Sequence, residues 1–196
     1  MSRAAVFVDR DGTLIEESGY LNELSRLIFY PFTVDAVRQL NRGGFVVIVI
    51  TNQAGIARGI VPESFLETAH GHIQARMAAG GAHIDAFYHC PHHPDGIVPA
   101  LRIKCDCRKP QPGLLMRAAA DLDLDLTRSF MIGDRFHDLA AGRAAGTRTV
   151  LVRTGYGAAE ERTEHQAARP DAIADNLAGA AAWILRGGVR DAQPPG

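Results

Sequence analysis

Along this chain, short runs of consecutive apolar residues alternate with segments whose apolar positions recur every three or four residues. The runs at Ala4 to Val8, Phe45 to Ile50, Ala86 to His89, Phe130 to Ile132 and Thr149 to Val152 have the length and β-branched content of parallel strands buried on both faces. Between them, Val34 to Arg42 places Val37 and Leu40 at helical spacing and stops at Gly43-Gly44. Pro62 to Ala79 opens with Pro and acidic residues, as a helix N-terminus should, and closes at Gly80-Gly81. Leu114 to Leu122 follows Pro112-Gly113, Asp138 to Ala145 runs into Gly146, and Ala172 to Leu185 has Asp171 as its expected N-cap. The alternation predicts an open α/β sheet. Right-handed crossovers put helices on both faces of such a sheet and ligands at the carboxyl ends of its strands, so the chemistry is to be sought just after each strand.

A chain of 196 residues closes one good core with little left for a second, so a single domain is expected over residues 1–186, followed by an irregular Gly- and Pro-rich tail from Gly187 to Gly196. The formal net charge of -1, with Lys and Arg scattered, speaks against nucleic acid or a membrane surface as partner and for a small ligand. No apolar stretch approaches the roughly 20 residues of a membrane span, and Arg3 leads straight into Ala4 to Val8 without a signal-peptide pattern. The three cysteines, crowded between Cys90 and Cys107, suit a reducing cytoplasm and a metal site rather than a disulfide framework. Lacking a heptad or a long apolar stripe, the chain is expected to be a monomer.

Each strand end carries polar chemistry. After the first strand comes Asp9-Arg10-Asp11-Gly12-Thr13, two carboxylates entering a glycine turn. After the second comes Thr51-Asn52-Gln53, a hydroxyl and two amides able to donate to phosphoryl oxygens. Arg108-Lys109-Pro110 supplies two cations, and the fourth strand ends in Gly133-Asp134-Arg135, with Asp138 one helical turn beyond Asp134. Each group alone is ordinary surface or turn chemistry, whereas together they aim at one rim. Three acids at one point repel unless a divalent cation sits among them, and an all-oxygen site that also meets phosphate is what Mg²⁺ prefers.

The long irregular stretch from Cys90 to Lys109 has no core of its own. Cys90-Pro91-His92 and Cys105-Asp106-Cys107 bracket it with soft ligands in two close pairs, the set for a closed structural Zn²⁺ site. His93, one residue on, competes with His92 for the fourth position. His83, His89 and His137 carry no such pattern.

Asp-x-Asp-Gly-Thr, then Thr after a strand, then Lys, then Gly-Asp with a further Asp, resembles the four motifs of the haloacid dehalogenase superfamily of phosphohydrolases. The resemblance implies a Rossmann-like three-layer α/β/α fold with a mainly parallel sheet, here with no cap-sized insertion and with the zinc-stabilised loop beside the rim. It makes Asp9 the nucleophile that becomes an aspartyl phosphate, and Asp11 the group that protonates the leaving oxygen and then activates water. Thr51 and Lys109 would hold the phosphoryl oxygens, while Asp9, the Asp11 carbonyl and Asp134 would bind Mg²⁺. Asp138 and Arg135 would stand behind the metal, Asp138 orienting its ligands or Arg135.

Within the superfamily, Cys-Pro-His-His-Pro, Cys-Asp-Cys-Arg-Lys-Pro and Thr-Asn-Gln-x-Gly-Ile-Ala-Arg-Gly are similar to the D-glycero-D-manno-heptose 1,7-bisphosphate 7-phosphatases of nucleotide-activated heptose and lipopolysaccharide synthesis. That resemblance favours His92 over His93 as zinc ligand, and implies substrate contacts from Glu17, Ser18, Gly19, Tyr20, Asn52, Gln53, Ala54 and Arg108. Ala54 stands where Ser is frequent, and Arg135 where Lys is usual. Histidinol-phosphate phosphatase is the alternative, disfavoured by the fourteen residues between Cys90 and Cys105. A non-catalytic phosphosugar-binding protein would need neither Asp9 nor Asp11.

Overall fold

The computed structural model of the chain describes residues 2–163 and 169–188. Its strands β1 (Ala5–Val8), β2 (Val46–Asn52), β3 (Ala86–Cys90), β4 (Phe130–Gly133), β5 (Arg148–Val152) and β6 (Ala172–Ala174) form one sheet in the order β3-β2-β1-β4-β5-β6. Every pairing is parallel, with Val8 opposite Val49 on one side and Ile132 on the other. This is the Rossmann-like order. It reverses direction between β1 and β4, so the crevice at their carboxyl ends is where such a sheet receives ligands.

Side chains alternate across a strand, and the two cores follow from that alternation. Val6 and Val8 face one layer with Val37 and Leu40 of α1 (Thr33–Arg42), Ile73 and Met77 of α3 (Glu63–Ala79), and Leu177 and Ile184 of α7 (Leu177–Leu185). Ala5 and Phe7 face the other, with Leu114, Leu115 and Ala118 of α4 (Gly113–Leu122) and Ala141 and Ala145 of α5 (Phe136–Ala145). Each fully buried Leu, Ile, Val or Phe contributes roughly 1.5–3 kcal/mol relative to exposure. Two single-turn helices, α2 (Ala54–Ala57) and α6 (Gly157–Glu160), follow β2 and β5 and bring their chain segments to the crevice. No helix among the described residues is long and apolar enough to cross a membrane.

The expected helix from Ala172 to Leu185 is instead a strand followed by a helix. Ala172–Ala174 pairs with β5 as an edge strand, and α7 begins only at Leu177. The cap is Asn176, whose side chain accepts from Gly179 N at 3.1 Å. Asp171 ties the sheet rather than the helix, its carboxylate accepting from Thr149 N at 2.9 Å and Thr149 Oγ1 at 3.2 Å. β2 also runs two residues past the expected end, which carries Thr51 and Asn52 on the strand itself. The tail expected to be irregular lies, beyond Gly188, outside the described residues.

Replacing Asn176 by Ala strips α7 of this side-chain cap. It should lower unfolding free energy by about 1 kcal/mol in a urea titration.

Candidate active site

The first acid is fixed by the sheet itself, since Asp9 N donates to Ile132 O at 2.9 Å across the seam between β1 and β4. The chain then turns sharply, with Leu14 N and Ile15 N both donating to Arg10 O at 2.9 and 3.0 Å. Gly12 makes this turn at φ +82°, and a Cβ there would lie 2.2 Å from Asp134 Oδ2. On the opposite side, Gly155 has φ +57° and would bring a Cβ to 2.1 Å from the same oxygen. The Asp134 carboxylate is thus held between two glycine backbones that no other residue could replace without displacing it. Tyr156 N donates to it at 2.8 Å.

Lys109 is buried, and its ammonium meets Asp9 Oδ1 at 2.5 Å, Asp138 Oδ1 at 2.7 Å and Ile50 O at 2.8 Å. Asn52 sets the lysine's backbone, accepting from Lys109 N and donating to Lys109 O at 3.1 Å each. Gln53 Nε2 donates to Thr51 Oγ1 at 2.8 Å and to Asp11 Oδ2 at 3.2 Å. Asp138 closes the N-terminus of α5 by accepting from Arg135 N at 3.1 Å.

Carboxylate oxygens of Asp9, Asp134 and Asp138 lie within 4.8 Å of one another, all three buried. Burial pushes Asp9 well above the carboxylate range against the pull of Lys109, with Asp138 and Asp134 repelling from nearby. Burial, then the Asp138 charge, pushes Asp134 up to about 7. For Lys109, burial opposes the charge, but Asp138 and Asp9 outweigh it and hold the pKa above the ordinary lysine value. A compact, all-oxygen, anionic set of this kind fits a hard divalent cation.

The thiols form a second cluster. Cys107 Sγ lies 3.2 Å from Cys90 Sγ and 3.3 Å from Cys105 Sγ, Cys90 and Cys105 are 3.5 Å apart, and His92 Nδ1 is 3.2 Å from Cys107. Tetrahedral ligands around zinc stand about 3.8 Å apart for Zn–S bonds of about 2.3 Å, so the set fits zinc with slight expansion. His93 faces away, its Nδ1 accepting from Asp95 N at 3.1 Å and its Nε2 lying 3.4 Å from Arg58. It is His92 that stands with the three thiols.

Asp9, Asp11, Thr51, Lys109 and Asp134, expected to converge, line one open cleft of about 330 Å³. Glu17, Gly19, Tyr20, Asn52, Gln53, Ala54 and Arg108 line it too. Ser18 does not: its hydroxyl is buried without a hydrogen-bond partner and its carbonyl accepts from Arg26, because the turn that aims Glu17 back at Gly19 N faces Ser18 inward. Arg135, expected behind the metal, lines the cleft wall with its guanidinium 3.6 Å above the Tyr156 ring. Tyr156 and His137 were not anticipated, although the glycine-flanked turn after β5 obeys the same strand-end rule as the other motifs.

The order of the sheet and the acids at its switch point define a haloacid-dehalogenase-like hydrolase fold. The Hydrolase-like family model, described as HAD-hydrolase-like, matches residues 106–180. The chain is 44% identical over 152 residues to D-glycero-beta-D-manno-heptose-1,7-bisphosphate 7-phosphatase of Escherichia coli (strain K12), spanning 77% of this chain and 80% of the relative. It is 38% identical over 175 residues to the protein of the same name from Pasteurella multocida (strain Pm70), spanning 88% and 94%. Among solved structures it is similar to the D,D-heptose 1,7-bisphosphate phosphatase of B. bronchiseptica complexed with magnesium and phosphate, with TM-score 0.83, 30% identity, and 94% and 99% of the two chains covered. The corresponding Burkholderia thailandensis enzyme gives TM-score 0.69 at 26% identity, with 93% and 99% covered. The chain belongs to the heptose-1,7-bisphosphate phosphatase family of HAD hydrolases.

Asp134 gives a pH prediction for metal-free protein. Its pKa rises on folding from the ordinary 3.8 to about 7, so between those values the native state binds more protons than the unfolded one. Stability therefore falls as pH rises through that window. In EDTA, the melting temperature of the unmodified protein should drop from pH 5.5 to pH 7.5 relative to Asp134→Asn, which lacks this titration; parallel curves would refute it.

Proposed function

We propose that this protein is an Mg²⁺-dependent phosphatase that removes the C7 phosphate of D-glycero-D-manno-heptose 1,7-bisphosphate within nucleotide-activated heptose synthesis. The observation that carries this reading is the convergence of Asp9, Asp11, Thr51, Lys109 and Asp134 on one cleft in a chain whose relatives bear that activity in their names. Asp9 Oδ attacks phosphorus in line, forming an O–P bond as the sugar–oxygen bond to phosphorus breaks. Asp11 gives its proton to the departing sugar oxygen. Water then adds to the phosphoaspartate, Asp11 takes its proton, and inorganic phosphate leaves with Asp9 restored.

Asp9, the Asp11 carbonyl and Asp134 would hold Mg²⁺, which when bound supplies positive charge that lets a carboxylate approach a phosphate dianion. Lys109 and Thr51 bind the equatorial oxygens, where charge builds in the transition state, and removing such a donor typically costs about 2.7–4 kcal/mol. Arg108, on the cleft wall, suits the second phosphate. Glu17, Gly19, Tyr20, Asn52, Gln53 and Ala54 frame the sugar, and Ser18 supports their turn from beneath.

One domain over residues 1–186, acting as a cytoplasmic monomer, carries the activity in this reading. Cys90, His92, Cys105 and Cys107, whose ligand atoms cluster, would hold its structural Zn²⁺. Histidinol phosphate is the competing substrate, and the long Cys90–Cys105 spacing favours the heptose.

Phosphate release with Mg²⁺, measured side by side on both heptose bisphosphate anomers and histidinol phosphate, tests the reading. Heptose bisphosphate should be turned over fastest, and Asp9→Asn should lose at least about three orders of magnitude in kcat. Preference for histidinol phosphate overturns the substrate, and absence of release from all three overturns the enzyme.

Elemental analysis should find one zinc per chain, lost in Cys105→Ser together with protease resistance of the Cys90–Lys109 segment. Zinc-free protein with that segment still protected would remove the structural role.

A further inference from the structure

We propose that Arg10 is a positioning residue for this reaction: its buried guanidinium fixes the orientation in which Asp11 meets the leaving oxygen and the incoming water. The inference rests on the acid and base role of Asp11 proposed above.

Arg10 is 1% exposed, one of the largest fully buried side chains in the protein. Among the described residues, every side-chain hydrogen bond it makes goes to a single group. Nε donates to Asp11 Oδ2 at 3.1 Å and Oδ1 at 3.3 Å, and Nη2 donates to Oδ1 at 3.1 Å while lying 2.9 Å from Oδ2. This is a fork against a carboxylate, which fixes direction as well as distance. Gln53 Nε2 meets the same carboxylate from the Thr51 side, so Asp11 is gripped at two points and cannot rotate freely.

The two ends of this pair differ in exposure, with the Arg10 side chain at 2% and the Asp11 side chain at 17%. Asp11 therefore shows one edge to the cleft while Arg10 holds it from inside the protein. A cation of this cost is not explained by neutralising Asp11, which the cleft already opens to water. Its buried Nη1 has no hydrogen-bond partner among the described residues, an arrangement that stability alone disfavours against an apolar side chain of similar volume. Behind it, His70 stacks on Phe87 at 4.4 Å, and burial followed by the Arg10 charge pushes its pKa down to about 3, so the imidazole adds no second charge.

The site thus assigns a separate cation to each of its paired acids. Lys109 pins Asp9 and Arg10 pins Asp11. With the attacking carboxylate and the proton carrier held independently, neither competes for the other's partner during the reaction.

The test compares Arg10→Met and Arg10→Lys with the unmodified enzyme on heptose bisphosphate, whose sugar oxygen must be protonated to leave, and on p-nitrophenyl phosphate, whose phenolate leaves unprotonated. kcat/KM reports formation of the phosphoaspartate on either substrate. For Arg10→Met it should fall about 100-fold on the sugar phosphate, the scale of a displaced general acid, and by less than about threefold on the nitrophenyl ester. Arg10→Lys, which keeps the charge but loses the fork, should show the same selectivity with a loss of about tenfold, and it carries the test if the methionine variant does not fold. In an Asp11→Asn background, Arg10→Met should cost less than about twofold more.

Equal losses on both substrates, or an undiminished cost in the Asp11→Asn background, make Arg10 merely structural and overturn the proposal. An unmodified protein that releases phosphate from neither substrate overturns the functional reading and this one with it.

Discussion

The site is organised around one buried cation. The Lys109 ammonium donates to Asp9 Oδ1 and to the Ile50 carbonyl, and pairs with Asp138 Oδ1 at 2.7 Å. An ammonium out of water is tolerated only when its partners are this complete, and the acids it meets would be equally costly without it. Three buried carboxylates facing one ammonium leave a formal surplus of two negative charges, which is the charge of the divalent cation that the oxygen set fits. The position of Lys109 therefore sets the charge that the rest of the cleft must balance.

Two structural features deliver that lysine, which no strand carries. Asn52, the last residue of β2, clamps the Lys109 peptide from both sides. Opposite Asn52 in the sheet register stands Cys90, the first thiol of the Cys–His cluster, and Cys107, the last, lies two residues before Lys109. The segment between them holds only a single 3-10 turn, Pro99–Leu101, and has little core of its own. In the proposed zinc site these four side chains would close its ends and so place its exit, and hence Lys109, at a fixed distance from β2. In this way a structural cluster sets the geometry of a separate reactive one.

Most of this was legible in the sequence because parallel strands with both faces buried read as unbroken apolar runs, and the sheet rule then says where to look. Asp9, Asp11, Thr51 and Asp134 were located at strand ends in that way, and all four line the one cleft. The rule failed where elements were too short to show a period. Ala172–Ala174 is three residues long, apolar in either template, and merges by eye with the helix after it. Asp171 compounded this, since the carboxylate that would cap a helix is equally able to bind Thr149 N at the head of a strand. Ser18 falls outside the cleft lining, since a resemblance carries a whole turn across, whereas the direction of each side chain within it depends on local hydrogen bonds. Arg10 was invisible for a different reason. An arginine between two aspartates reads as solvated surface, and only coordinates reveal that it lies inside.

With no cap-sized insertion, the reacting end and the selecting end of the cleft face different constraints. The floor is crowded: Gly12 and Gly155 leave no room even for a methyl group beside Asp134, and a Cβ on Gly133 would come within 2.4 Å of Asp138. Such a floor admits almost no variation in sequence without loss of the acid cluster. The walls are free of that restriction, because Glu17, Tyr20, Arg108 and the Arg135–Tyr156 stack are partly exposed and sit on turns rather than on the sheet. Exchanging Lys for Arg at position 135 changes a flexible point charge into a planar group that can lie flat on Tyr156. In the proposed reading chemistry and substrate choice are then separable in this fold, and differences among relatives in what they dephosphorylate should lie in these wall residues while the floor stays the same.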